Sequence, residues 1–120
     1  MIETSYDRLS AYSDLYQHFE AGLGCDALFC SSDVVAISAI SVLNDLKISV
    51  PDEVAVVGYD DIMFSSYCSP SLTTVHQNIA KCGSILVDRV LRLAAGEDVS
   101  SVTLPTELVV RQSCGTRTRP

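Results

Sequence analysis

The run "VAVVG" at residues 54–58 constrains the fold more than any other stretch of the chain. It is apolar throughout and rich in β-branched valine, which is typical of a strand buried on both faces in a parallel sheet. Helical patterns lie on either side of this run, and β-rich runs of similar length alternate with them. This alternation predicts an α/β chain built on a parallel sheet.

Helix and strand boundaries follow from periodicity and capping residues. The first helix is predicted to begin in a capping-box-like pattern at Thr4 and Asp7 and to end near Gly22–Gly24. Its core face is predicted to carry Leu9, Tyr12, Tyr16, Phe19 and Leu23. The other predicted elements are strands at 26–30, 54–58 and 72–75, helices at 34–46 and 77–96, two extended pieces around Pro105, and a frayed tail at 114–120.

Composition narrows the classes of protein. The chain has 120 residues, 48% hydrophobic and 19% charged, with a net charge of −7, which suits a soluble domain and disfavours binding to a phosphate backbone by this chain alone. No apolar run has the ~18 residues of a membrane helix, and no signal peptide opens the chain, so no membrane partner is expected. Five cysteines without a CxxC pair fit a reducing cytoplasm better than a disulfide framework or a zinc site.

Polar residues follow three of the predicted strands, at 31–33, 59–61 and 76–77. Ligands of open parallel sheets bind beyond the carboxyl ends of the strands, where these segments are expected to lie. A carboxylate such as that of Asp60 offers two acceptor oxygens to neighbouring hydroxyl groups or ring N–H groups. The local pattern leaves two interpretations open, because Asp60 and Asp61 are equally suited to capping a turn.

No enzymatic chemistry is indicated. Ser32, Asp60 and His76 resemble a triad only by residue type, since no GxSxG elbow is present. There is no glycine-rich phosphate loop, and the two histidines, His18 and His76, lie far apart in the sequence. We therefore expect no catalytic residue, no metal and no cofactor.

One family matches the order of these motifs. The segments "DALFCSSDVVAISAISVLNDLKISVPDEVAVVGYDD", "SPSLTTVHQNIAKCGSILVDRVLRLAAGE" and "VTLPTELVVRQS" resemble the C-terminal part of the effector-binding domain of LacI/GalR-type transcriptional repressors. The resemblance implies a partial three-layer subdomain of the periplasmic-binding-protein-like (type I) fold, in which two α/β subdomains close on a small ligand. It covers residues 25 to 113.

The resemblance also implies site residues. Serine at position 32 stands where the family usually has asparagine, and it lacks the NH₂ donors of that residue. The chain recrosses to the other subdomain at Gln77. The implied effector-binding residues are Asp60, Ser32, Asp33, Gln77 and Tyr59, and the implied subunit interface comprises Ile37, Ile40, Ser41, Tyr67 and Phe64.

Partners follow from the same resemblance. Residues 1–113 are expected to be a C-terminal piece of an effector-binding domain, with helix 77–96 belonging to an absent N-terminal subdomain. The implied partners are a small effector (a sugar, or else a purine), a second copy of the chain, and DNA contacted through a helix-turn-helix outside this sequence. The apolar face of helix 77–95 would be covered either by folding of the helix back on its own sheet or, as we expect, by exchange of the helix between copies. A periplasmic sugar-binding protein of a transporter is the alternative.

Overall fold

The computed structural model of the chain describes residues 1–22 and 24–116. Its secondary structure alternates between helices and strands, as the sequence predicts. The elements are α1 (Arg8–Glu20), β1 (Ala27–Phe29), α2 (Asp33–Asp45), β2 (Ala55–Asp60), a 3-10 helix (Met63–Ser66), β3 (Thr73–His76), α3 (Ile79–Ala94) and β4 (Glu107–Val109).

The strands form one four-stranded sheet in the order β1-β2-β3-β4. β1 pairs with β2 in parallel, and β2 pairs with β3 in parallel. The valine-rich run lies in β2, the longest strand, and Val54 and Val56 are fully buried. The predicted α/β class with a parallel sheet is therefore confirmed.

Helix α2 supplies most of the cover for this sheet. It is apolar on nearly every side, and its buried residues include Ala36, Ala39, Val42 and Leu43. These side chains join those of β2 in a single core cluster. Removing a large aliphatic side chain from such a core typically costs about 2–5 kcal/mol of stability.

Helix α1 packs on this core through a face that the sequence predicted only in part. Phe19 is buried as expected, together with Ala11 and Leu15, whereas Tyr12 and Tyr16 lie at the margin of the core. Leu9 is 81% exposed, so its predicted place in the core is wrong. It lies in the first turn of the helix, away from the buried face. Leu23 falls outside the described residues.

Two boundaries also differ from the prediction. The N-cap of α1 is Asp7, whose carboxylate accepts hydrogen bonds from Leu9 N and Ser10 N, and Thr4 instead bonds Asp14. Only one of the two extended pieces around Pro105 is a strand, at Glu107–Val109. Residues 102–104 have no strand assignment.

The amino end of the sheet is completed by Ser113, a fully buried residue. Its carbonyl oxygen accepts a hydrogen bond from Val56 N at 2.7 Å, and its hydroxyl donates to Val56 O at 2.6 Å. The same hydroxyl accepts a bond from Thr73 N at 2.8 Å. Ser113 thus gives hydrogen-bond partners to backbone groups of Val56 and Thr73 that would otherwise need a neighbouring strand to pair with them.

The chain divides into two compact units. The first contains residues 1–76 and the segment from Leu108 onward, and the second contains Gln77–Glu107. The second unit is built on α3, whose predicted position is confirmed and none of whose residues is buried. Within the described residues, no helix combines the length and apolarity needed to cross a bilayer.

Candidate functional site

The carboxyl ends of β1 and β2 bring Ser32 and Asp60 to the same edge of the sheet. Phe29 of β1 is paired with Val57 of β2. Ser32 lies three positions after Phe29, and Asp60 lies three positions after Val57. His76 is the direct partner of Asp60 on β3. The edge that the sequence predicts to bind a ligand is therefore lined by polar side chains from three neighbouring elements.

The turn that leaves β2 has an uncommon backbone conformation. Asp60 has φ of 115° and Asp61 has φ of 54°, both positive values that residues with a side chain rarely adopt. Such conformations persist where surrounding contacts determine them, and they are concentrated at functional sites. Asp60 is half-buried at the start of this turn.

The carboxylate of Asp61 is held from two sides. Its Oδ1 accepts a hydrogen bond from Arg111 Nη2 at 2.7 Å, and its Oδ2 lies 3.0 Å from His76 Nδ1. Burial raises the pKa of Asp61, but the hydrogen bond and charge of Arg111, followed by those of His76, outweigh it and leave this pKa below its ordinary value. Asp61 is therefore an ionised anchor of the turn at neutral pH.

Asp33 anchors the other side of the turn. Its Oδ2 accepts hydrogen bonds from Ile62 N at 2.9 Å and from the Ser65 hydroxyl, and its Oδ1 accepts one from the Thr74 hydroxyl. Asp33 is 0% exposed, and with these bonds made it cannot reach a ligand at the surface. We therefore correct its predicted role from effector contact to internal support.

Gly58 is required by this arrangement. A Cβ atom at position 58 would collide with Asp33 Oδ1 and would lie 2.9 Å from Leu72 Cδ2. A glycine at this position permits either a turn or a close approach of the backbone. The structure shows a close approach, while the turn itself is made by Asp60 and Asp61.

The remaining predicted effector residues are Ser32, Tyr59 and Gln77. Ser32 is the N-cap of α2, its hydroxyl accepts a hydrogen bond from Val35 N at 3.4 Å, and the residue is buried. Tyr59 is a half-buried residue of β2, opposite Val75. Gln77 is half-buried and is the first residue of the second unit.

The predicted interface residues fall into two groups. Ile40 is 4% exposed within the core of its own chain, so we correct its predicted place at a subunit surface. Ile37 and Ser41 are half-buried, whereas Phe64 and Tyr67 are 64% and 78% exposed. An apolar cavity of about 370 Å³ has Ile37, Phe64 and Tyr67 among its lining residues, whereas Asp60 does not line it.

Sequence reasoning did not find several residues that shape the site. Arg111 donates to Asp61 and also to Leu72 O at 2.8 Å, across 50 and 39 positions of sequence. The Thr74 hydroxyl accepts a hydrogen bond from Asp61 N at 3.3 Å and donates one to Asp33 Oδ1. No local pattern marks such long-range partners. The only signal was the position of Thr74 inside a predicted strand that ends at the ligand edge.

Comparison with known proteins agrees with the fold. Residues 3–114 match the family described as periplasmic binding protein-like domain. The chain belongs to this family. Within it, the resemblance to LacI/GalR-type repressors is confirmed by relatives of known name and by solved structures.

Two curated relatives in this family are called HTH-type transcriptional repressor PurR. The protein from Photorhabdus laumondii is 33% identical over 117 residues, covering 94% of this chain and 34% of its own length. The protein from Haemophilus influenzae strain PittEE is 38% identical over 92 residues, covering 72% of this chain and 27% of its own length. The chain thus spans about a third of the length of these relatives.

A solved lac repressor dimer, bound to operator and the anti-inducer ONPF, superposes on the chain with a TM-score of 0.86 and 31% identity. The match covers 93% of this chain and 40% of the repressor chain. A sugar-binding LacI-family regulator from Escherichia coli, complexed with phosphate, gives a TM-score of 0.78 at 28% identity over 92% of this chain and 40% of its own. These relatives are named as regulators, so a transporter's periplasmic binding protein is not favoured.

Proposed function

We propose that this chain forms one wall of the effector cleft of a LacI-type transcriptional regulator. The observation that carries the proposal is the position of Asp60, on a turn with positive φ at the carboxyl end of a buried parallel strand. Disfavoured backbone conformations are concentrated at functional sites, which favours a ligand contact for Asp60 over a simple turn cap.

The chemistry of this wall suits a small polar effector. The two acceptor oxygens of Asp60 match a pair of adjacent hydroxyl groups, as on a sugar, or ring N–H groups, as on a purine. The proposed contacts are Asp60 with Ser32 and Tyr59, and the role of Gln77 stays a prediction. Asp33 is excluded because both of its carboxylate oxygens are bonded within the chain, where they support the wall from inside.

The proposed mechanism is a shift in population between open and closed clefts. An effector that binds one arrangement more tightly than the other moves the equilibrium by its difference in affinity. In the whole protein this shift would change affinity for DNA, which we assign to a helix-turn-helix outside residues 1–120. We propose a cytoplasmic location, consistent with the repressor names of the relatives.

We further propose a homodimer that uses Ile37, Ser41, Phe64 and Tyr67. Two of these side chains expose aromatic surface beside an apolar cavity, and exposed patches of this kind commonly mark protein interfaces. A second surface would be covered by exchange of helix 77–95, since Ile79, Leu86, Val90 and Leu93 are all more than half exposed. Each such side chain is worth about 1.5–3 kcal/mol when buried.

Ligand binding is tested by NMR, which detects the weak affinity expected of one wall alone. The ¹⁵N-labelled chain is titrated with D-ribose, D-galactose, hypoxanthine and guanine, and amide shifts of residues 32 and 59–61 are followed. We expect one class to shift these amides and Asp60→Asn to weaken binding about ten- to hundredfold, the effect of losing a charge-assisted hydrogen bond. Asp45→Asn is the control, because Asp45 accepts its hydrogen bond from Tyr12 on helix α1 and follows no strand of the sheet. Equal affinity of the Asp60 variant and the parent would contradict the proposed site.

Helix exchange is tested by sedimentation equilibrium. Val90→Asp places a charge on the apolar face of α3 and is expected to weaken association, whereas Ser84→Asp on the opposite face is the matched control. Both positions are exposed in the single chain, so neither change should alter its fold. A monomeric parent chain at all concentrations would rule out the exchange.

A further inference from the structure

The turn after β2 depends on side-chain contacts for its shape. Two successive residues with side chains, Asp60 and Asp61, have φ of 115° and 54°. Neither value is favoured by the local backbone, although aspartate tolerates the left-handed region better than most residues. Something outside the turn must therefore hold it in place.

Asp61 makes the contacts that can do so. Besides its bonds to Arg111 and His76, its own backbone N–H donates to the Thr74 hydroxyl at 3.3 Å. The side chains of Asp61 and Arg111 are only 16% and 19% exposed, so solvent screens their attraction weakly. Arg111 is itself fixed by donation to Leu72 O at 2.8 Å.

These contacts tie the turn to the neighbouring strand. His76, which faces the carboxylate of Asp61, is also the residue of β3 that pairs with Asp60. Leu72 and Thr74, the other attachment points, lie beside and within the same strand. Any displacement of Asp61 would consequently move Asp60 relative to the carboxyl end of β3.

We propose that Asp61 is a positioning residue, whose carboxylate, held by Arg111 and His76, fixes the turn in the shape that presents Asp60 to an effector. The inference rests on the proposed role of Asp60 and deepens it. The two adjacent aspartates then have different roles. Asp60 contacts the ligand, and Asp61 fixes the orientation of Asp60. The pair Asp61–Arg111 acts without touching the ligand.

Two substitutions at position 61 separate the backbone from the carboxylate. Asp61→Gly adopts positive φ more freely than aspartate but has no anchor, and Asp61→Asn keeps the shape of the side chain but loses its charge. If the turn were determined by its backbone, the glycine variant would keep it. If the carboxylate determines it, both variants loosen the turn.

The first measurement needs no ligand and therefore stands apart from the proposed function. Hydrogen exchange of the amides at 61 and 62 is measured by NMR in each variant, with Asp45→Asn as the control. We expect exchange at least about tenfold faster at these two amides in both variants, from loss of a charge-assisted hydrogen bond, with core amides such as Val56 unchanged. Rates within twofold of the parent would overturn the inference.

Arg111→Lys covers the case in which a variant at position 61 does not fold. Lysine keeps the charge but not the fork that reaches Asp61 and Leu72 together. We expect it to speed exchange at 61 and 62 as well, and unchanged exchange there would equally overturn the inference.

The second measurement is affinity for whichever of ribose, galactose, hypoxanthine or guanine the parent binds. Asp61→Gly should weaken it at least about tenfold, as a lost positioning contact should. Affinity equal to that of the parent would overturn the positioning role, whereas a parent that binds none of the four counts against the proposed function alone.

Discussion

Replacing Gly58 by alanine adds one methyl group next to a buried carboxylate. The new Cβ would overlap Asp33 Oδ1, and it would lie 2.9 Å from Leu72 Cδ2 and 3.3 Å from Ala36 Cβ. Leu72 can adjust through its rotamer, but Asp33 cannot move without losing the hydrogen bonds that it accepts from Ile62 N and the Thr74 hydroxyl.

The cost can be worked from these contacts. Overpacking of a buried site costs about 1–3 kcal/mol. Displacing the Asp33 carboxyl group leaves at least one buried donor unpaired, at about 1–3 kcal/mol more. We therefore expect Gly58→Ala to lower the free energy of unfolding by about 2–6 kcal/mol, a large share of the ~5–15 kcal/mol available to a domain.

Urea denaturation followed by circular dichroism measures this loss. Gly83→Ala is the matched control, because nothing lies within 4 Å of a Cβ at position 83 in helix α3. The same change there should stabilise the helix by about 0.5–1 kcal/mol. Combining Gly58→Ala with Asp33→Ala should cost little more than Asp33→Ala alone, since the collision is then gone. A loss below about 1 kcal/mol for Gly58→Ala in the native background would refute the reasoning.

Three further outcomes are expected. Because the pKa of Asp61 is depressed in the folded chain, its contribution to stability is present above the ordinary aspartate value of about 3.9 and is lost as the pH falls through the folded value. In urea titrations, the free energies of unfolding of Asp61→Asn and the parent should therefore differ least at the lowest pH. A constant difference from pH 3 to 7 would contradict this. Burial, then the charge of Asp33, raises the pKa of Cys30 to about 12, so the native chain should label with a thiol reagent at exposed Cys25 well before Cys30, and equal rates would contradict the buried assignment. Tyr67→Asp should lower the apparent mass in sedimentation while thermal unfolding of the monomer is unchanged, because Tyr67 is exposed in the single chain.

The order of helices and strands could be predicted from the sequence because it depends on local periodicity. The valine run of β2, the apolar length of α2 and the amphipathic face of α3 all have that local signal. The exposed Leu9 shows the limit of this local signal, since an apolar residue at the expected spacing lies off the face that is buried.

The candidate site was predictable only where it coincides with a strand end. The position of Asp60 followed from the length of the strand before it. The burial of Asp33 did not, because a carboxylate is rarely enclosed unless partners satisfy it, and its partners Ser65 and Thr74 are 32 and 41 residues away. Arg111 was missed for the same reason, because it lies 50 positions after Asp61 and the chain reaches it only after the second unit.

Ser113 has a consequence for the order in which the protein can fold during its synthesis. The backbone groups of Val56 and Thr73 that it satisfies are made long before Ser113 itself is added. At about 5–20 residues per second, the 37 residues from Gln77 to Ser113 take the ribosome about 2–7 s, far longer than hairpins or helices need to form. During that interval the backbone groups of Val56 and Thr73 at the amino end of the sheet lack their partner. We therefore expect chaperones to bind a nascent chain that is halted before Ser113 more than one that includes it.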